Sequence, residues 1–126
     1  VKTTNELKNN YINSIAIMSN DPTEHPEDSF ENMIEFAKKY NFNFPYVIDE
    51  DQSVAKKYDA VCTPDFFGFN SNLELQYRGR IYEINNRVRV KDSKNELLES
   101  MINVAKTSKG PEMQSPSMGC SIKWFK

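Results

Sequence analysis

The hydrophobic period of this chain switches repeatedly between strand-like and helix-like, and that switching constrains the fold most. Ile15, Ala16, Ile17 and Met18 form a continuous apolar run within Ile12–Ser19, as expected of a strand covered on both faces. Phe30, Met33, Ile34, Ala37 and Tyr40 then recur at helical spacing. Phe44–Asp49 reads as a short strand, with Pro45 near its start, where a missing N–H does least harm. Asp51–Tyr58 reads as a short helix with Val54, Ala55 and Tyr58 turned inward. Phe66–Phe69 and Leu73–Ile81 flank the turn residues Asn70-Ser71-Asn72. In the second of these strands, Leu73, Leu75, Tyr77 and Gly79 alternate with Glu74, Gln76, Arg78 and Arg80. That alternation predicts one covered face and one wet face. Leu97, Leu98, Met101, Ile102 and Ala105 form the stripe of a last helix. The order helix, strand, helix, strand, helix, hairpin, helix predicts an α/β fold, a mixed sheet with flanking helices.

Local signals set the expected boundaries. Val1–Asn10 reads as the later turns of a helix. Pro22 and Pro26 break the loop Asn20–Glu27. Asp28 with Glu31, and Asp92 or Ser93 with Glu96, look like capping starts of the two longer helices. Tyr82–Lys91 reads as an irregular or extended excursion. A length of 126 residues suits one domain, expected over residues 1–110, with residues 111–126 as a C-terminal tail.

Composition narrows the function classes. Sixteen basic and 18 acidic side chains give a net charge of −2, so neither nucleic acid nor an anionic membrane is expected as partner. The local excess at Arg78, Arg80, Arg87, Arg89 and Lys91 reads as a solvated face. No stretch approaches the ~20 apolar residues of a membrane span, and no signal peptide is visible. Two cysteines, Cys62 and Cys120, are too few for a disulfide-built domain, so a reducing, cytoplasmic setting is expected. No Cys or His lies at zinc-ligand spacing from another, so no metal and no cofactor are expected. His25, with Glu24, Glu27 and Asp28, reads as a solvated loop histidine.

Cys62-Thr63-Pro64-Asp65-Phe66-Phe67 and the ending Met118-Gly119-Cys120-Ser121-Ile122-Lys123-Trp124 carry a resemblance. Together with Ser19-Asn20-Asp21-Pro22, Pro26-Glu27-Asp28-Ser29 and Phe44-Pro45-Tyr46, they make the chain similar to thioredoxin-like proteins. More narrowly, it resembles the redoxin branch, the alkyl hydroperoxide reductase/thiol-specific antioxidant (peroxiredoxin-like) family. The resemblance implies redox chemistry at a cysteine sited at a helix N-terminus, which favours the thiolate. It implies that the proline at position 64 is cis, and that Thr63 presents backbone groups to an extended substrate. A thioredoxin-type thiol or disulfide, as reductant or substrate, is the implied partner.

The chain departs from that family at the nucleophile, because no Cys-x-x-Cys and no N-terminal Cys is present. By the resemblance, Val1–Asn10 matches the later turns of the helix that should carry it. The start of that helix and the strand before it are expected upstream. That strand would lie between the strands at Ile12–Ser19 and Phe66–Phe69. Without it, buried unpaired backbone groups would cost ~1–3 kcal/mol each. Three outcomes are then expected: the chain extends upstream, another chain supplies the strand, or the sheet re-pairs.

Cys62 reads as a redox neighbour of the nucleophile or as a small packed apolar residue. Cys120 reads as a resolving thiol on a tail or as a thiol of no consequence. A Cys62–Cys120 disulfide is a further reading whose geometry the sequence does not fix. Trp124 and Phe125 either clamp the tail onto the domain or form a homodimer contact. Two functional readings follow. The first is a redoxin-type thiol–disulfide oxidoreductase or thiol peroxidase, inactive as this chain alone, with Thr63 and Pro64 shaping the substrate groove and Cys62 and Cys120 as accessory thiols. The second is a non-catalytic thioredoxin-like peptide-binding module.

Overall fold

The computed structural model describes all 126 residues, Val1–Lys126. Helix α1 (Lys2–Asn9) leads into strand β1 (Ala16–Met18). A 3-10 turn (Pro26–Asp28) precedes α2 (Phe30–Lys39), β2 (Tyr46–Ile48) and the short α3 (Ser53–Lys57). Then follow β3 (Cys62–Thr63), the hairpin of β4 (Phe66–Phe69) and β5 (Leu75–Gly79), and a small hairpin of β6 (Ile84–Asn85) and β7 (Val88–Arg89). The long helix α4 (Glu96–Thr107) and a final strand β8 (Cys120–Ser121) complete the chain. The protein is thus of the α/β class.

The strands form four two-stranded ladders in place of the one mixed sheet expected. β1 pairs with β2 in parallel, while β3–β8, β4–β5 and β6–β7 are antiparallel. β1 and β4 do not re-pair with each other. The run Ile15–Met18 is not covered on both faces, for Ile15 is 60% and Ile17 42% exposed. Ile17 stands beside Val47 in register, and that side chain is exposed too. The expected penalty for buried, unpaired edges therefore does not arise at β1, whose surroundings stay open to water.

The core lies where α1 and α4 cover the β4–β5 hairpin. Leu7, Tyr77, Leu97, Met101 and Val104 form its buried cluster. Gly68 leaves room there for the Met101 thioether, which a Cβ at that position would force to move. Tyr77 sits only 2% exposed, and its hydroxyl donates to the Arg80 carbonyl at 2.5 Å. The expected alternation of Leu73–Gly79 holds only in its second half. Leu73 (84% exposed) and Leu75 (49%) face solvent, and Leu73 takes a left-handed turn conformation, φ 61°.

Both expected helix starts move by a residue or more. Ser29, not Asp28, accepts the Asn32 N–H and caps α2. Asp28 ends the 3-10 turn and takes a hydrogen bond from the Asn20 amide instead. Asn95, not Asp92 or Ser93, caps α4 by accepting from Leu98 N–H. In α2 only Met33 of the apolar stripe is fully buried. Phe30, Ile34 and Tyr40 stay exposed because α2 has only the narrow β1–β2 ladder to pack on. In α4, Val104 is buried and Ala105 exposed, reversing the expectation. Tyr58 is exposed in place of inward, its ring edge meeting Phe67 and Phe69. The Tyr82–Lys91 excursion contains the β6–β7 hairpin, whose Asn86 and Arg87 both have positive φ, the signature of a two-residue primed turn. No helix is long and apolar enough to cross a membrane.

Candidate functional site

The Val61–Asp65 loop lies between α3 and β4, and the tail folds back over it. The Thr63–Pro64 peptide bond is cis. Thr63 is half-buried and Pro64 exposed. The Cys62 thiol donates weakly to the Pro64 carbonyl (3.6 Å) and the Ser117 carbonyl (3.7 Å).

Charge around this loop is fixed by one pair. The Asp65 side chain is almost fully buried, and Arg78 Nη2 lies 3.4 Å from its carboxylate. The same guanidinium stacks over Phe67 at 4.9 Å and donates to the Asp59 carbonyl at 2.5 Å. Arg78 therefore ties the end of α3 to the hairpin. Of the basic cluster expected as a solvated face, Arg87, Arg89 and Lys91 are exposed, while Arg78 and Arg80 are engaged in ion pairs. Arg80 pairs with Glu96 at 2.7 Å, and Arg89 lies over the Tyr82 ring and donates to the Ser93 carbonyl.

Cys62 lacks the setting of an activated nucleophile. Burial pushes the Cys62 thiol up from its ordinary value, the Asp65 carboxylate adds to that, and Arg78 offsets it only in part. Cys62 sits in a strand, not at a helix N-terminus, so the local field does not favour thiolate. Cys120 lies exposed in β8. Both thiols are free. Register explains why they are not bonded to each other. Cys62 stands opposite Ser121 and Thr63 opposite Cys120, so the two cysteines point to opposite faces of the ribbon.

A buried polar hub stands at the carboxyl ends of the parallel strands β1 and β2. Asp49 accepts from Ser19 Oγ at 2.9 Å and from the Val54 and Ala55 N–H groups, capping α3. Gln52, 1% exposed, donates to the Ser19 and Lys123 carbonyls at 2.8 and 2.9 Å. Its side-chain oxygen accepts the Phe125 N–H at 3.0 Å. Sequence reasoning missed Asp49 and Gln52, since polar residues beside a short helix look like surface. The tail is clamped, but mainly by its backbone and by buried Ile122, while Trp124 and Phe125 remain partly exposed. His25 lies 3.5 Å from Glu27 in its loop. A groove of about 610 Å³ lies elsewhere, between α2 and β1–β2, where Met18, Asp28, Met33, Phe36 and Tyr46 line it. No cysteine reaches it, so shape and thiol chemistry do not coincide.

The AhpC/TSA family model matches residues 1–84. Two solved structures match almost the whole chain. One is an uncharacterized conserved protein from Geobacillus kaustophilus, 41% identical, with a TM-score of 0.87 over 99% of this chain and 66% of that one. The other is a hypothetical protein from Sinorhizobium meliloti 1021, 34% identical, with a TM-score of 0.87 over 98% of this chain and 68% of that one. This chain thus spans about two thirds of the length of each. No curated protein gives a significant match. With two thirds of its residues under that family model, the chain belongs to the AhpC/TSA family.

Proposed function

We propose that this chain carries the proline side of a redoxin-type site, serving a thiol–disulfide oxidoreductase or thiol peroxidase. The nucleophilic thiolate comes from a cysteine other than Cys62 and Cys120. The observation that carries this reading is the Cys62 environment: a thiol beside the proline of the loop, yet shifted away from the thiolate. Thr63 and Pro64 line the substrate groove, and Cys62 and Cys120 are accessory thiols.

The same reading supplies a thioredoxin-like sheet in the whole protein. A further strand lies between β1 and β4 and pairs with their open edges. The separate ladders, the exposed apolar run and the greater length of both matched structures support it. The redox partner is a thiol or disulfide of thioredoxin type.

The test compares the 126-residue chain with the whole protein that contains it. Hydrogen peroxide consumption with dithiothreitol, and reduction of a protein disulfide, are measured for both. The chain alone is expected to give the blank rate, while the whole protein turns over at least one substrate. In the whole protein, Pro64→Ala is expected to lower kcat/KM roughly tenfold or more, through misplacement of bound substrate. Turnover by the isolated chain, or an inert whole protein, contradicts the proposal.

A further inference from the structure

We propose that Ser117–Ile122 is a displaceable strap that closes the Thr63 edge against extended polypeptide and leaves the site to small substrates until it lifts. This rests on the redoxin reading of Thr63 and Pro64 and adds a control on substrate size.

The strap is seated along its length. Arg80 N–H donates to the Ser115 carbonyl at 3.1 Å, and Ser117 Oγ donates to the Gly79 carbonyl at 2.6 Å. The Ser117 carbonyl receives the Cys62 thiol. Gly119 lies flat against Thr63, where a Cβ would collide with the Thr63 carbonyl oxygen and approach Pro64 Cδ to 3.4 Å. Cys120 and Ser121 then pair with Thr63 and Cys62. Thr63 Oγ1 donates to the Cys120 carbonyl at 3.4 Å, and Ile122 N–H to the Val61 carbonyl at 3.3 Å. The edge of residues 61–63 that an incoming strand would use for β-addition is therefore already filled by the chain's own tail.

The strap is held firmly at its ends and loosely in its middle. On one side, the Gln114 amide bridges the Gln76 carbonyl and Arg78 N–H. On the other, Ile122 is buried and Lys123 is fixed by Asn20 and Gln52. Between them, Met118, Gly119, Cys120 and Ser121 are all exposed. Few buried contacts mean a low cost of local opening, so the middle bows outward while both ends stay attached. A small hydroperoxide needs no β-pairing with Thr63. A polypeptide disulfide does, and must first lift the strap.

Two measurements on the full chain test this. In the unaltered protein, the amides of Cys120 and Ser121 are expected to exchange hydrogen at least tenfold faster than those of Met101 and Val104 in α4. Equal rates would mean that the strap opens only with global unfolding, and would overturn the proposal. Next, Gly119→Val unseats the strap, and a peptide copying Ser117–Trp124, with serine for Cys120, is added in trans. The variant is expected to bind it at least tenfold more tightly than the unaltered chain, and equal affinities overturn the proposal. If Gly119→Val loses its cooperative melt, Ser117→Ala replaces it, with a threefold gain expected and equal affinities again overturning the proposal. Neither readout involves redox turnover. Their failure removes the strap and leaves the redoxin reading standing, whereas an inert whole protein removes that reading, and the substrate-size control with it, while the two strap readouts still succeed.

Discussion

Replacing Tyr77 by alanine is expected to cost about 4 kcal/mol, a large share of the stability of a domain this size, leaving the chain folded but much less resistant to denaturant. Removal of a buried aromatic side chain costs roughly 3–5 kcal/mol through lost transfer energy and the cavity left behind, against a total stability of about 5–15 kcal/mol. Tyr77 is the largest side chain in the main core, set among Leu7, Leu97, Met101 and Val104. Denaturant titration of Tyr77→Ala should show the lowered midpoint. Tyr77→Phe should lose only about 1 kcal/mol, from the hydrogen bond to Arg80. The same phenol sets an alkaline limit. Burial first, and Glu96 second, push its pKa from 10.0 up to about 12, with Arg80 opposing. Between those values the unfolded chain has released this proton and the folded chain retains it. Stability from this group is therefore complete below pH 10 and falls as pH rises toward 12. Tyr77→Phe should remove that slope.

Replacing Gln52 by leucine is the second large effect, expected at roughly 2–3 kcal/mol. Three hydrogen bonds vanish at once, to Ser19, Lys123 and Phe125, and a buried group left unpaired costs roughly 1–3 kcal/mol. The tail groups escape that cost by peeling into water, so the variant should fold with its C-terminus released. Trypsin cleavage after Lys123, followed by mass spectrometry, should accelerate at least tenfold. An unchanged cleavage rate would show that Ile122 and the Asn20 and Asp21 bonds to Lys123 hold the tail without Gln52.

The residues that the sequence made legible are those whose chemistry is local. The Cys-Thr-Pro-Asp-Phe-Phe run located the loop, and the turn Asn70–Asn72 located the hairpin, because an Asn side chain and a proline ring act within a few residues. The Asn70 side chain does accept the Asn72 and Glu74 N–H groups. Capping was read one or more residues early at both α2 and α4, since Ser29 and Asn95 compete with equally good neighbours and tertiary packing chooses among them. Periodicity overstated burial at Ile15, Ile17, Leu73 and Leu75 because a stripe records the face a strand offers, not what arrives to cover it. Gln52 gave no signal: its role depends on carbonyls at positions 19 and 123 that meet only in three dimensions.

The central claim is that this chain supplies the proline side of a redox site and not its nucleophile. The pH dependence of Cys62 alkylation by iodoacetamide, followed in a Cys120→Ser background, tests it most directly. Burial and Asp65 place the inflection above the ordinary thiol value of 9.0, with the rate rising with pH as thiolate forms and no fast phase at neutrality. An inflection below pH 7 would make Cys62 an activated thiolate and contradict the account.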